Sequence, residues 1–545
     1  MVKNIAQTFN RVAGLQGDKT AVIEAKTGKS VTFAELNSRS DGYAAMLKGR
    51  GVKPGDKVML MVTPSADFIC LTFALFKVGV TIILIDPGMG YKNLLRCIEG
   101  VAPTVFIGIP KARIFAAIFR RTFQSIRIWF CCGNTFGLFG PDIRKVIDNN
   151  PSSFPVYSPG DDDLAAIIFT TGSTGPPKGV RYEHSIFAAQ LERIRDFYGI
   201  DHEHIDQPAF PLFALFSASL GACSVIPDMD PTRPAKVDPQ KFINSIEKYR
   251  VTYSFGSPAI WNVVSRYCIK ENIKLQSLSK VLMAGAPVPG ELLERVRSIL
   301  PDDAQIFTPY GATESLPIVS MEATEILNAT WAETRQGKGV CVGRPLPGID
   351  ICIMTIDEGP VAVLNADSLL PVGEIGEILV RGDVVTRAYE NNEKETKHAK
   401  VFDPDGKSFW HRMGDTGFLD QEGRLWFCGR KAHRVVTSHG TLYTICCEAI
   451  VNEHPQVYRS ALVGIQNSGS KDLSPVLIVE PVKEYRGSQG ELLAEVASLT
   501  AASPVTAEIT TFLVHPDFPV DIRHNAKIFR EKLAIWAAEQ LRKTT

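Results

Sequence analysis

The densest chemistry in this 545-residue chain lies in Phe169-Thr170-Thr171-Gly172-Ser173-Thr174-Gly175-Pro176-Pro177-Lys178-Gly179, directly after the apolar run LAAII. Glycines let a backbone turn tightly, its N–H groups and the hydroxyls can surround phosphate oxygens, and Lys178 adds a positive charge. It is not a Walker P-loop, because G-x-x-x-x-G-K-[ST] needs lysine directly after the glycine and a hydroxyl residue after the lysine. Taken alone, a loop of this composition reads equally well as an ordinary turn.

A loop of this kind needs a rigid element on each side. The first 150 residues alternate amphipathic pieces such as Phe33–Arg50 with short apolar runs at Lys57–Val62, Thr81–Ile85 and Pro103–Ile109, the rhythm of parallel βαβ units. The rhythm continues at Leu164–Thr170, Thr252–Phe255, Lys280–Ala284 and Gln305–Thr308, and ligand loops belong at the carboxyl ends of such strands. From about Gly343 the texture becomes Gly-rich and strand-like, which predicts a β-rich subdomain. A boundary is expected near residues 429–433. Beyond it, helical patterns at Cys447–His454 and Phe529–Arg542 flank apolar strands near Ser460–Ile465 and Val476–Val479. The expected class is α/β: a large N-terminal domain (1–430) of layered, mostly parallel sheets plus the β-rich subdomain, then a small α+β domain (431–545).

Composition narrows the function. Lys+Arg and Asp+Glu number 59 each, so no basic excess argues for nucleic acid as the main partner. The eleven cysteines include no C-x-x-C pair, which argues against a zinc ribbon or a disulfide scaffold and for a reducing compartment. The N-terminal stretch lacks the roughly ten-residue apolar core of a secretory signal, so a cytoplasmic protein is expected. The most apolar stretch, Ile69–Ile85, contains Lys77 and Gly79 and reads as a buried helix running into a buried strand. Ile114–Phe139 mixes Arg120, Arg121 and Arg127 with many aromatics. It could be an interfacial helix making peripheral membrane contact, but a core helix and strand with exposed arginines is the preferred reading.

The segment T-T-G-S-T-G-P-P-K-G resembles the phosphate loop of the adenylate-forming superfamily of acyl-CoA synthetases, luciferases and peptide-synthetase adenylation domains. Further motifs follow in the family's order. Gly285, Ala286 and Pro287 resemble its adenine-pocket turn, Tyr310-Gly311-Ala312-Thr313-Glu314 its Y-G-x-T-E motif, and Gly414-Asp415 its ribose-binding segment. Gly429-Arg430 resembles the strand end before the hinge, and Lys527 stands where the family has its C-terminal catalytic lysine. The resemblance implies ATP and Mg²⁺ as cofactors and gives each residue a physical role. Tyr310 offers an aromatic face to the base. Asp415 accepts from the ribose diol, with Arg430 beside it. Thr313 bonds a phosphate, and Glu314 is the metal carboxylate, since a phosphate-bridging Mg²⁺ takes only one or two. Lys527 neutralises charge building at the α-phosphorus.

Other segments narrow the resemblance. G-R-K-A-H-R-V, C-E-A-I-V-N-E-H-P and F-P-V-D-I-R-H-N-A-K-I-F-R-E-K-L-A are similar to the olefin β-lactone synthetases. That group activates a long-chain 2-alkyl-3-hydroxy acid as its adenylate and closes it to a β-lactone, releasing AMP and pyrophosphate without coenzyme A, in long-chain hydrocarbon biosynthesis beside partner enzymes of the same pathway. Pro211-Leu212-Phe213-Ala214 lacks the histidine many acyl-CoA synthetases carry there, and Ala432 and Ser438–Thr444 depart from the pattern of thioester-forming members. Phe210–Val225, with Phe213, Phe216 and Gly221, has the apolar and small residues of an acyl pocket, though plain core would look the same. His184 and His433 are candidate bases for the 3-hydroxyl. The competing readings are a long-chain fatty acyl-CoA ligase, separated by a coenzyme A requirement, and a silent acyl or nucleotide binder, separated by pyrophosphate release.

Overall fold

The apolar runs pair into two mainly parallel sheets and one antiparallel sheet. The structure, a computed structural model, describes residues 3–147, 151–170, 176–466, 472–520 and 528–544. The first sheet runs in the order Ile128–Cys131, Val105–Gly108, Lys57–Met61, Thr81–Leu84, Leu164–Thr170, Lys178–Glu183, parallel except for the last pair. The second runs Gln305–Phe307, Lys280–Met283, Tyr253–Gly256, Ile205–Pro208, Cys223–Ile226, Thr20–Glu24, Ser30–Thr32 and is again parallel except at its end.

Side-chain alternation explains why the two sheets share a core. On Lys57–Met61, Val58 and Leu60 join a cluster that also holds Ala21 and Val22 of the second sheet, while Met59 faces the opposite cluster under the helices Tyr91–Val101 and Pro110–Ile118. Between the sheets lies the helix Ala66–Val78, the expected buried helix, whose Ser65 cap accepts from the Phe68 N–H and whose end turns at Gly79 into the strand Thr81–Leu84. Gly79 has φ +81°, and a β-carbon there would stand 2.3 Å from the Tyr157 ring, so both backbone and space require glycine.

Lys77 makes this buried helix possible without being a surface residue. Its side chain is 0% exposed, and its Nζ reaches Asp41 at 2.6 Å, Asn37 at 2.7 Å and Ser40 at 2.7 Å, all on or beside the face of the helix Phe33–Gly49. Burial pulls its ammonium below the usual lysine range, and the Asp41 carboxylate opposes that pull.

The antiparallel sheet begins at Tyr310, not near Gly343: Tyr310–Ala312 and Ser315–Ser320 form a hairpin that leads to Val340–Pro345, Leu425–Arg430, Phe409–Leu419, Gly376–Arg381 and Asp350–Met354. The run Gln305–Phe307 belongs to the second sheet, and only two residues separate it from this hairpin, so the apolar rhythm does not announce the change of partner.

After Arg430 a smaller sheet follows, Val457–Gln466 antiparallel to Leu473–Pro481, with Thr511–Val514 parallel to the latter. Leu462, Leu477 and Val479 face one apolar cluster, and Ala461, Val463, Val476 and Ile478 the other, so helices cover both sides. The expected helix Cys447–His454 is Thr444–Val451, starting three residues earlier. The helix Gln489–Ala501 and the strand Thr511–Val514 were not anticipated, because neither carries a strong apolar period.

Replacing Lys77 with Met should leave Asp41 buried without its ion-pair partner, a loss of about 3–5 kcal/mol. Lys77→Met with Asp41→Leu should recover most of it. Denaturant unfolding of the two variants checks this, and equal destabilisation of both would contradict the ion-pair account.

Candidate active site

The loop after Leu164–Thr170 joins two antiparallel strands, since Thr170 pairs with Lys178 and Leu164 with Glu183. Lys178 therefore opens a strand and does not sit at a helix N-terminus. Thr171, Gly172, Ser173, Thr174 and Gly175 lie outside the described residues, as does Lys527.

A short segment ties this hairpin to the antiparallel sheet. The Arg181 N–H donates to the Ala388 carbonyl at 3.1 Å, the Glu390 N–H donates to the Gly179 carbonyl at 2.7 Å, and Lys57 closes an ion pair with Glu390 at 2.6 Å. On its other side the same segment grips Glu314, whose carbonyl accepts from the Thr386 N–H at 2.9 Å and the Thr386 hydroxyl at 3.1 Å. The Tyr389 hydroxyl donates to Glu314 Oε1 at 2.8 Å. Lys178 stands 5.2 Å over the Tyr389 ring and pairs with Glu395. Thus Lys178, Thr313 and Glu314, distant in sequence, converge through Thr386 and Tyr389.

Local geometry holds the Thr313-Glu314 turn. A β-carbon on Gly311 would lie 2.6 Å from the Ser315 carbonyl oxygen, so the tight hairpin needs glycine there. The Tyr182 hydroxyl donates to the Thr313 carbonyl. Burial and the Glu314 charge raise the Tyr389 phenol far above its usual range, so it remains a donor. Among the described residues Tyr389 alone donates to the Glu314 carboxylate. Among the described residues no donor reaches its second oxygen, which suits a carboxylate that takes one position on an octahedral Mg²⁺.

A second cluster sits where the strands Phe409–Leu419 and Leu425–Arg430 pair Asp415 with Arg430. The Tyr310 hydroxyl donates to Asp415 Oδ2 at 2.6 Å, and Arg430 Nη1 meets Asp415 Oδ1 at 2.9 Å. Asp415 holds the Arg430 guanidinium firmly charged. The strands Lys280–Met283 and Gln305–Phe307 run parallel, so the turn Gly285, Ala286, Pro287 and the approach to Tyr310 leave from the same sheet edge. Gly285 is exposed with φ +97°.

The apolar candidates separate. Phe213 stacks on Phe255 with ring centroids 3.7 Å apart, at the carboxyl end of the strand next to Lys280–Met283. Phe216 is buried in the core between Phe213 and Phe187. Gly221 caps the C-terminus of the helix Phe213–Leu220 with φ +84°, a helix length of ~12 Å from Phe213, and a β-carbon there would meet Gln16. His184 lies at the end of the Lys178–Glu183 strand remote from the loop, roughly 20 Å along it; it is buried against Phe76, with its pKa lowered to about 4 by burial. His433 is hydrogen-bonded to Glu531 at 3.2 Å, close to the Arg530–Glu448 pair.

Sequence reasoning missed Tyr182, Thr386, Tyr389 and Lys400, which belong to no phosphate-like or acidic pattern. Lys400 is buried, donates to the Thr386 carbonyl, and lies 3.1 Å from His411 Nδ1. Burial lowers its pKa to about 7, against the opposing pull of Glu314 and Glu183.

Because Lys400 titrates near 7 in the fold and near 10.5 when unfolded, the unfolded chain binds the extra proton between those values. Stability should rise with pH across that window by about 1.4 kcal/mol per unit from this group. Lys400→Met should flatten that rise, as denaturant unfolding at pH 7, 8 and 9 would register; an unchanged slope would contradict the burial assigned to it.

The family description "AMP-binding enzyme" matches residues 9–390. The chain is 42% identical over 552 residues to the olefin beta-lactone synthetase of Xanthomonas campestris pv. campestris, covering 98% of each chain. It is likewise 42% identical over 518 residues to the olefin beta-lactone synthetase of Stenotrophomonas maltophilia, covering 94% of this chain and 92% of that one. In fold it is similar to the amide bond synthetase McbA of Marinactinospora thermotolerans, with a TM-score of 0.80, 21% identity and coverage of 98% and 99%. A lysine opening the second strand of a hairpin, a tyrosine-held carboxylate and an aspartate tied to tyrosine and arginine, found together with matches of this length, mean that the chain belongs to the AMP-binding enzyme family.

Proposed function

We propose that the chain is an ATP-dependent β-lactone synthetase acting on a long-chain 2-alkyl-3-hydroxy acid. The carrying observation is the 42% identity over 98% of the chain to a protein of that name, supported by the two polar clusters that share the Tyr310–Ser320 hairpin through Tyr310 and Glu314. Tyr310, the Gly285 turn, Asp415 and Arg430 receive the nucleoside. The hairpin loop and Lys178 receive the phosphates, and Glu314 with Thr313 holds Mg²⁺ and phosphate oxygen. The bound metal supplies charge neutralisation across the phosphates.

A carboxylate oxygen of the acid bonds to the α-phosphorus as pyrophosphate leaves. The substrate's own 3-hydroxyl then bonds to the activated carbonyl carbon as AMP leaves, with loss of the hydroxyl proton. A nucleophile held in attack geometry can have an effective molarity of ~10⁵ M or more, so no second substrate is needed. Residues 1–430 carry the ATP and acid sites, and residues 431–545 act as the lid that brings Lys527 to the α-phosphate.

Lys527→Ala should reduce pyrophosphate release on the order of 10²–10³-fold while ATP binding survives; near-normal release from the folded variant would contradict the lid assignment. With ATP, Mg²⁺ and a 2-alkyl-3-hydroxy acid, product analysis should find a β-lactone, AMP and pyrophosphate with or without coenzyme A. An acid lacking the 3-hydroxyl should stall as bound acyl-adenylate. If that acid instead turns over to a thioester when coenzyme A is supplied, the chain is an acyl-CoA ligase.

A further inference from the structure

The segment 110–147 is the most unequal in charge that the functional site leaves unused. It carries seven Lys and Arg against one Asp in a chain whose charges cancel overall. Its elements are the expected helix, Pro110–Ile118, and strand, Ile128–Cys131. Yet that helix buries only one side: Ala112 and Ala116 enter the core, while Ile114 and Ile118, one turn apart, are exposed, the latter 69%.

The loop after the strand carries further exposed apolar residues. Arg113 lies 4.2 Å from the Trp129 ring and 5.2 Å from the Phe139 ring, which pins the loop's far end to the helix. The Leu138 N–H donates to the Thr135 carbonyl at 3.0 Å and the Phe136 N–H to Asn134 Oδ1 at 3.0 Å, so the tip is an ordered turn. At that tip Phe136 is 96% exposed and Leu138 77%. Phe136 also has φ +52°, a conformation unfavourable for a residue with a β-carbon. A phenylalanine held in water, in a strained backbone, against no neighbour, gains nothing for the folded chain in isolation. Arg120 and Arg121, both exposed, follow Ile118 at the end of the helix.

We propose that this face docks on an anionic lipid bilayer, with Ile114, Ile118, Phe136 and Leu138 entering the acyl boundary and Arg120 and Arg121 meeting the headgroups. Exposed apolar side chains in a segment rich in Lys and Arg fit such an interface. A second copy of the chain docked by this same face would bring like charge against like charge, which argues against self-association. The loop leaves the carboxyl end of Ile128–Cys131, on the same edge as the loop after Leu164–Thr170 and four strand spacings away, roughly 19 Å. A bilayer at this face therefore lies within reach of the site for a lipid-like acid. The inference does not depend on which product the enzyme forms.

Vesicle flotation without ATP or acid tests it. The full chain should float with phosphatidylglycerol vesicles, float poorly with phosphatidylcholine vesicles, and lose binding as salt is raised. Each basic residue near an anionic surface is worth about fivefold in partition, so R120E/R121E should lower partition at least about 25-fold. F136S/L138S should lower it by at least about tenfold. Both variants should retain pyrophosphate release with a water-soluble short-chain acid, which shows that they fold. No flotation of the native chain, or unchanged partition in both variants, would overturn the proposal. So would a native dimer that becomes monomeric in F136S/L138S, since the face would then belong to a second copy.

Discussion

The site depends on one backbone seam. Residues 386–390 bond on one side to the Lys178–Glu183 strand of the first sheet and on the other to the Tyr310–Ser320 hairpin of the third, through Gly179, Arg181 and the Glu314 carbonyl. Neither hairpin alone brings Glu314 and Lys178 to the same tyrosine ring. Backbone N–H and carbonyl groups must be paired when buried, and the seam meets that requirement for both hairpins at once. The convergence of Lys178 and Glu314 is therefore a by-product of backbone pairing, with Tyr389 adding the side-chain bond that fixes the carboxylate.

Electrostatics behind the seam explain its rigidity. Lys400 is buried under Thr386, close enough to Glu314 and Glu183 to feel both, yet burial still lowers its affinity for a proton. Burial likewise raises the Glu183 carboxyl and lowers the His411 imidazole. Asp415 is anchored by two donors from different strands, which sets its orientation.

The C-terminal part meets the large domain through apolar packing, with Tyr443, Cys446 and Val505 against the cluster that holds Trp426 and Cys428, and through a few ion pairs. Gly429 has φ +131° and its α-carbon faces the Thr444 hydroxyl, where a β-carbon would come within 2.5 Å. Arg335 pairs with Glu453 and Arg434 with Glu358 across the same junction. Exposed pairs of this kind contribute little to stability, whereas the contact at Gly429 demands that the strand end and the helix Thr444–Val451 approach closely.

Much of the fold was legible because its strands are buried on both faces and read as short unbroken apolar runs: Lys57–Met61, Thr81–Leu84, Leu164–Thr170 and Lys280–Met283 all stand where the pattern placed them. The order of motifs around Thr170, Tyr310 and Asp415 was legible too, because glycines with hydroxyls or carboxylates at fixed spacing are uncommon. What the sequence by itself determined was which residues have the right chemistry, and which runs form strands and helices. Only the tertiary structure decided which sheet each strand joins, that Tyr310 opens the third sheet thirty residues earlier than the Gly-rich texture suggests, and that Tyr389 and Lys400 stand behind Glu314. The reason is physical: apolar periodicity reports that a face is buried and not against what, and a tyrosine or lysine becomes part of a site only through partners that lie 75 or 86 positions away in the chain.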